Sequence, residues 1–329
     1  MLPLPLLNEA LTLFFSQLLL SIPFLLLGII LSSALLVFVD EHKLIARFPQ
    51  NRILSSIVGS SLGILLPVGQ YGTIPVVRRL LLQGAPIPLA ISFLVAGSTV
   101  NPIVIWFTLS TLAVQPRLIF LRIILTWFMA VIIALVFSSY REKPSSELIL
   151  NPVSRVPFLR SGTFLIDEAK GDPLQRSGNL IYEYAGSEVH QRSWLEKLSL
   201  FFRNGIEESL ELIPFLLLGS AIATGSQLYL PQASLLNWAI DPLTQILVMM
   251  GLGVILSLGS LFSASFLMPL TGTLWIGSSL AFLLIDSVIN LKRLALLLAV
   301  FRFKPVFYLT ILTIQLVLLF ALVLNFYVN

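Results

Sequence analysis

The sequence predicts an all-α polytopic membrane protein, with about eight transmembrane helices in two homologous halves and with broken helices or re-entrant hairpins. Three observations predict it. The 329 residues are 57% hydrophobic and only 11% charged, where a soluble domain is about 25% charged. Apolar runs of about 20 residues, the length that spans a hydrocarbon core of about 30 Å, recur along the chain. Finally, a string from the first half returns in the second.

The first span is 11–39, which Pro23 should bend because its ring displaces an intrahelical hydrogen bond. It has no basic stretch before it and is longer than a signal-peptide core, so it is expected to stay as a span. A polar connection, 40–52, carries Lys43, Arg47 and Arg52. The body of the second span, 53–66, is rich in Ser and Gly, which lets helices pack closely. Then the pattern breaks. The stretch 67–102, PVGQYGTIPVVRRLLLQGAPIPLAISFLVAGSTVNP, sets Pro, Gly, Gln, Tyr, Arg and Asn into apolar sequence. Pro removes a backbone donor and clashes with the preceding turn, and in lipid every freed backbone group needs a partner. Such a stretch belongs inside protein or against a cavity. Its two short helical segments, 73–83 and 87–97, read either as a hairpin dipping into the membrane or as parts of two long kinked spans. Segments 103–114 and 117–137 complete the first half, residues 1–139.

Residues 140–203 differ in kind, holding 17 of the 36 charged residues, and read as a polar, poorly ordered linker. The second half, 204–329, has apolar stretches at 212–229 and 242–258, a Ser/Gly/Thr-rich break at 259–273, a short segment 274–284 before the polar cluster Asp286 to Asn290, and the closing segments 291–300 and 306–328. Glu207, Glu208 and Glu211 are expected at a helix start near the interface, and Arg78 and Arg79 to reach toward headgroups.

The string Ile22-Pro-Phe-Leu-Leu-Leu-Gly28 recurs identically at Ile213–Gly219. Leu62-Gly63 and Gly69 match Leu252-Gly253 and Gly259; Phe93-Leu94, Ser98 and Asn101 match Phe282-Leu283, Ser287 and Asn290. Collinear matches at a nearly constant offset indicate an internal duplication, in either a parallel or an inverted arrangement. Binding sites between repeats form where corresponding helices break, near mid-membrane. The candidate substrate-binding residues are therefore Gln70, Tyr71, Thr73, Ser98, Thr99 and Asn101 from one half, with Ser260, Ser263, Ser287 and Asn290 from the other. Asp286 is an ionisable group inside an apolar run, which suits a coupling proton; the alternative is a structural ion pair with Lys292 or Arg293. Asn101 and Asn290 have a second reading too, as amides that satisfy backbone freed by the breaks.

Some classes are excluded. Cysteine is absent, which removes disulfides, thiolate catalysis and Cys-based metal sites, and both His lie in polar connections. No Walker A loop, His-Glu-x-x-His or Gly-x-Ser-x-Gly with a nearby base is present. We expect no enzyme activity, no catalytic residues, no metal and no cofactor. The net charge of +4 fits lipid headgroups and membrane orientation rather than nucleic acid.

The motifs P-x-G-x-x-G-x-I-P (Pro67 to Pro75), L-x-x-G-A-P (Leu81 to Pro86) and F-L-x-A-G-x-x-x-N-P (Phe93 to Pro102) resemble the predicted permease family of ArsP/YraQ type. The second-half string from Ala281 through Asp286 and Asn290 to Lys292 resembles that family's second copy. The resemblance implies a multi-pass permease of the inner (plasma) membrane. Its best-known members export trivalent organoarsenicals, and members commonly carry Cys near the first break, where this chain has Gln70 and Tyr71. The expectation is a permease for a small polar or anionic solute, by efflux if the resemblance extends to direction. The partners are that solute and the lipid bilayer, and a homo-oligomer stays open. The alternatives are a passive channel or pore, or a non-transporting membrane subunit.

Overall fold

The computed structural model describes residues 4–39, 47–112, 115–139, 159, 193–229, 241–270 and 272–327. The connection 40–46 and nearly all of 140–192, the greater part of the expected linker, lie outside the described residues. All the named elements among the described residues are helices. In the first half they are α1 (Leu4–Phe38), α2 (Arg52–Leu65), α3 (Gly69–Leu82), α4 (Ile87–Ala96), α5 (Pro102–Thr111) and α6 (Pro116–Ser139). In the second they are α7 (Trp194–Tyr229), α8 (Pro242–Leu256), α9 (Ser263–Leu267), a 3-10 turn (Met268–Leu270), α10 (Ile276–Val288), α11 (Leu291–Val300) and α12 (Phe303–Tyr327).

The long helices α1, α6, α7 and α12 are apolar and long enough to cross a membrane. Their large side chains, such as Leu19, Phe120, Leu210 and Phe326, are exposed, as lipid-facing residues are. The short helices α3, α4 and α10 are buried along almost their whole length. The bundle therefore places its polar, broken elements inside and its continuous apolar helices outside.

Side-chain pairings fix the directions. Phe24 lies beside Gly69, Gly28 beside Gly72, Ser32 beside Arg79 and Leu35 beside Gln83, so α3 runs parallel to α1 toward Phe38. The turn at Gly84 then starts α4 from that end. Gly59 packs on Leu89 and Gly63 on Gly97, so α2 runs parallel to α4. Hence α2 enters from the Phe38 end, turns at Pro67–Gly69, and α3 returns: a re-entrant hairpin. This corrects the expected hairpin, which pairs α2 with α3 across Pro67–Gly69 and not 73–83 with 87–97, and it rules out 53–83 as one kinked span. The α4 helix instead continues through its break into α5, forming one interrupted crossing.

The second half repeats this order in the opposite sense. Phe38 meets Trp194 and Ser33 meets Asn204, so α7 is antiparallel to α1. Gln245 bonds Trp275, Gly253 packs on Ile285 and Ser257 bonds Leu291, so α8 is parallel to α10. Gly277 lies against Asn325, so α12 returns past the start of α10. Among the described residues the expected segments thus resolve into four long helices, two hairpins and two interrupted helix pairs, the second half running in the opposite sense to the first.

Three further expectations are corrected. Residues 194–203, expected in the linker, form the first turns of α7, because its apolar pattern continues back to Trp194. Glu207, Glu208 and Glu211 consequently lie within that helix rather than at its start. Glu211 Oε2 accepts from Arg78 at 2.6 Å. Arg79 is buried and donates to Asn204 at 2.9 Å instead of reaching a headgroup.

The breaks are built alike. The Asn101 side chain accepts from the Val104 N–H at 2.9 Å and donates to the Gly97 carbonyl at 3.0 Å. Asn290 accepts from the Arg293 N–H at 2.9 Å and donates to the Asp286 carbonyl at 2.8 Å. Each amide caps the second short helix and ties it to the end of the first. Replacing either by Ala is expected to lower stability by about 1 kcal/mol, read as a lower thermal midpoint in detergent, with the two losses alike.

Candidate functional site at the meeting of the hairpin tips

The tips of the hairpins carry the backbone conformations that glycine tolerates. Gly69 has φ +68° and Gly259 φ +91°, in the region where a Cβ is strained. At Gly259 there is a second reason: a Cβ would lie 2.8 Å from Gln70 Nε2. The two tips touch. The Ser260 N–H donates to Gln70 Oε1 at 3.1 Å. The Gly259 N–H donates to Asp286 Oδ1 at 3.2 Å, and Asn290 Nδ2 reaches the same oxygen at 3.4 Å. The first break of one half thus meets the first break of the other, which is in turn bonded to its own half's second break.

Three cations surround this contact. Arg122, from α6, donates to Thr108 Oγ1 (3.0 Å), the Ser260 carbonyl (2.6 Å), Ser287 Oγ (2.9 Å) and Ser263 Oγ (3.3 Å). Lys292 Nζ donates to Ser21 Oγ at 3.2 Å and stands 5.5 Å from the centroid of the Tyr71 ring. Arg293 donates to the carbonyls of Ser287 and Leu94, joining the two interrupted spans. All three are buried, as is Asp286. The structural alternative for Asp286 does not form: among the described residues it has no ion pair within 4.0 Å, to Lys292 or to Arg293.

Several buried polar atoms here make no hydrogen bond of normal geometry: Gln70 Nε2, the Tyr71 hydroxyl, which lies near Ser21 and Gln70, Arg122 Nε, Arg293 Nε and Asp286 Oδ2. Buried polar groups are nearly always satisfied, so a cluster of orphans points to a missing partner. A narrow cavity of about 20 Å³ opens beside Gln70 and Tyr71, lined also by Leu20, Phe24, Val104 and Gly259. That is room for about one water molecule, so the tips are closed on each other in this conformation.

The sequence-predicted residues therefore divide. Gln70, Tyr71, Ser260, Ser263, Ser287, Asn290 and Asp286 converge on one cluster. Thr73, Ser98, Thr99 and Asn101 gather instead round Gly97. There Thr73 bonds its own Gln70 carbonyl, Ser98 bonds the Val95 carbonyl and the Thr99 hydroxyl is unpartnered. Sequence reasoning missed Arg122, Lys292, Arg293 and Ser21 as members. An Arg inside the apolar run of α6 was the available signal for Arg122. Nothing local marks Ser21, which depends on where α11 packs.

Comparison with known proteins shows the family. The model of the ArsP_1 family, described as "Predicted permease", matches residues 6–326. The chain is 30% identical over 296 residues to "UPF0718 protein YcgR" of Bacillus subtilis (strain 168), covering 90% of each chain. It is 28% identical over 296 residues to "Putative two-component membrane permease complex subunit" of Streptococcus mutans serotype c (strain ATCC 700610 / UA159), covering 90% of this chain and 88% of that one. No solved structure matches the chain.

Proposed function

Because the chain belongs to the ArsP_1 family of predicted permeases, we propose that it moves a small polar or anionic solute across the inner (plasma) membrane, through the cluster where the hairpin tips meet. The observation that carries this reading is the convergence of unpartnered buried groups, Gln70 Nε2, the Tyr71 hydroxyl and Asp286 Oδ2, at the contact between the halves. A scaffold has no use for them. Inverted repeats that meet at broken helices are a common ground plan of secondary transporters, which work by rocking one repeat against the other.

Contacts at the Phe38 end of the bundle support alternating access. At the Phe38 end, Arg78 pairs with Glu211, and Arg79 joins Asn204, which donates to Ser33 at 2.8 Å. These contacts hold α3 against α7 and α1. Beside the tips the halves also meet through Phe107 and Phe262, with ring centroids 5.3 Å apart. On this reading, opening at the Phe38 end requires the Arg78–Glu211 pair to part. Asp286 is the group placed to carry a coupling proton, since it is buried beside the solute position with one oxygen unpartnered.

The test is counterflow in proteoliposomes loaded with a panel of unlabelled small anions, organic acids and neutral polar solutes. A permease accumulates labelled solute transiently against its gradient. Gln70→Ala is expected to lower the rate at least tenfold while the protein stays monodisperse. Flux that only dissipates gradients would instead establish a channel. A second reading follows from the Streptococcus mutans relative, named as a subunit of a two-component complex. If this chain also works with a second membrane component, counterflow appears only when that component is co-reconstituted.

A further inference from the structure

The buried charges sort into two clusters of different kind. Among the described residues, the buried charged side chains are Arg79, Arg122, Glu208, Asp286, Lys292 and Arg293. At the Phe38 end, Arg79 and its half-buried neighbour Arg78 face Glu208 and Glu211, and the charges cancel. At the hairpin tips, Arg122, Lys292 and Arg293 share the single carboxylate of Asp286. That cluster carries two positive charges in excess.

Buried charge is tolerated when it is paired, and an unpaired buried ion is strongly unfavourable. None of the three cations has a carboxylate oxygen within 4.0 Å among the described residues. The guanidinium groups of Arg122 and Arg293 are spread over hydroxyls and carbonyls, which are dipoles and leave the net charge in place. Lys292 is the least satisfied of the three. Its ammonium offers three donors and has the Ser21 hydroxyl and the face of Tyr71. The orphans give an independent indication. Gln70 Nε2, Arg122 Nε and the Tyr71 hydroxyl can all donate, and all are buried at this cluster. Excess positive charge together with unused donors describes a site lacking an acceptor of negative charge.

We propose that the transported solute is a small anion of one or two negative charges, bound between Lys292 Nζ, the Tyr71 hydroxyl and Gln70 Nε2, with Arg122 supporting it from α6. This rests on the permease reading and narrows its solute to one charge class. Lys292 belongs to the interrupted span and Tyr71 and Gln70 to the opposite hairpin, so the anion bridges the two halves. Asp286 offsets one of the three cations, which keeps the site from holding the anion too tightly to release it.

The experiment uses the full chain, purified in detergent. Thermal midpoints are measured against sodium chloride, nitrate, phosphate, sulfate, acetate and succinate at fixed ionic strength, and against urea, glycerol and choline. At least one anion is expected to stabilise the wild type saturably, and the neutral and cationic solutes are not. Lys292→Met should raise the midpoint of the anion-free protein and weaken the anion response at least tenfold, whereas Lys292→Arg keeps it. Glu211→Gln, which unbalances the neutral cluster, should lower the midpoint and leave the anion response intact. The proposal is overturned if no anion stabilises the wild type, if Lys292→Met retains the full response, or if a neutral solute binds through Lys292. Counterflow separates this from the permease reading. A neutral solute that accumulates removes the anion and leaves the permease, while an anion that binds without crossing vesicles does the reverse.

Discussion

Asp286→Asn is expected to abolish proton-driven accumulation of the solute while exchange across the membrane continues. The substitution is conservative in shape. The amide oxygen still accepts from the Gly259 N–H and can still face Asn290, so the meeting of the tips is preserved. What disappears is the charge and the capacity to carry a proton. A carrier that needs Asp286 protonated or ionised at different stages of its cycle then loses its link to the proton gradient. Uptake driven by an imposed pH gradient should fall at least a hundredfold and lose its dependence on pH, and counterflow, which needs no driving ion, should persist. The anion reading adds a second expectation. Without the Asp286 carboxylate the cluster gains one further uncompensated positive charge, so the solute binds more tightly and leaves more slowly. Gradient-driven uptake at the wild-type rate in Asp286→Asn would remove the coupling role.

The fold was legible in the sequence wherever one segment sufficed to state it. The apolar runs of α1, α6 and α12 announce spans by length alone. The breaks announce themselves through Pro, Gly and Asn, and Asn101 and Asn290 occupy the same capping geometry because both precede short helices at the same point of the repeat. The direction of each element was not legible, since periodicity carries no information about which end of the bundle a hairpin enters. The pairings of Gly28 with Gly72 and of Gly59 with Leu89 decide it, and these are long-range contacts. The site was half legible for the same reason. Gln70 and Tyr71 stand out as polar residues in a break. Lys292 and Arg293 read as ordinary partners for Asp286 one or two turns away, yet they point to Ser21 and to Leu94, on other elements. The duplication misled in one respect. It suggested equal contributions from both halves, but the charges stand in positions whose counterparts are apolar: Ile103 and Val104 match Lys292 and Arg293. The site is asymmetric within a symmetric frame.

That asymmetry gives the second large effect, in the string shared by the two halves. Gly28→Ala is expected to destabilise the protein by about 3 kcal/mol, and Gly219→Ala, at the identical position of the repeat, by clearly less. A Cβ on Gly28 would lie 2.3 Å from both the Cα and the carbonyl oxygen of Gly72. Those are backbone atoms of α3, so relief requires the two helices to move apart. Because α3 carries Gln70 and Tyr71, transport should fail along with stability. A Cβ on Gly219 meets Lys292 Cα at 2.8 Å and Ala295 Cβ at 3.0 Å on α11, a looser contact. Gly251→Ala supplies the reference, since nothing lies within 4 Å of a Cβ there. In that helix interior the exchange is expected to stabilise by up to about 1 kcal/mol. Thermal midpoints of the three purified variants should therefore rank Gly251→Ala above wild type, then Gly219→Ala, then Gly28→Ala. Equal losses at Gly28 and Gly219 would mean that the hairpin helix packs on its long helix in the same way in both halves. The sharing of work, in which α3 lies along α1 while α11 lies along α7, would then be wrong.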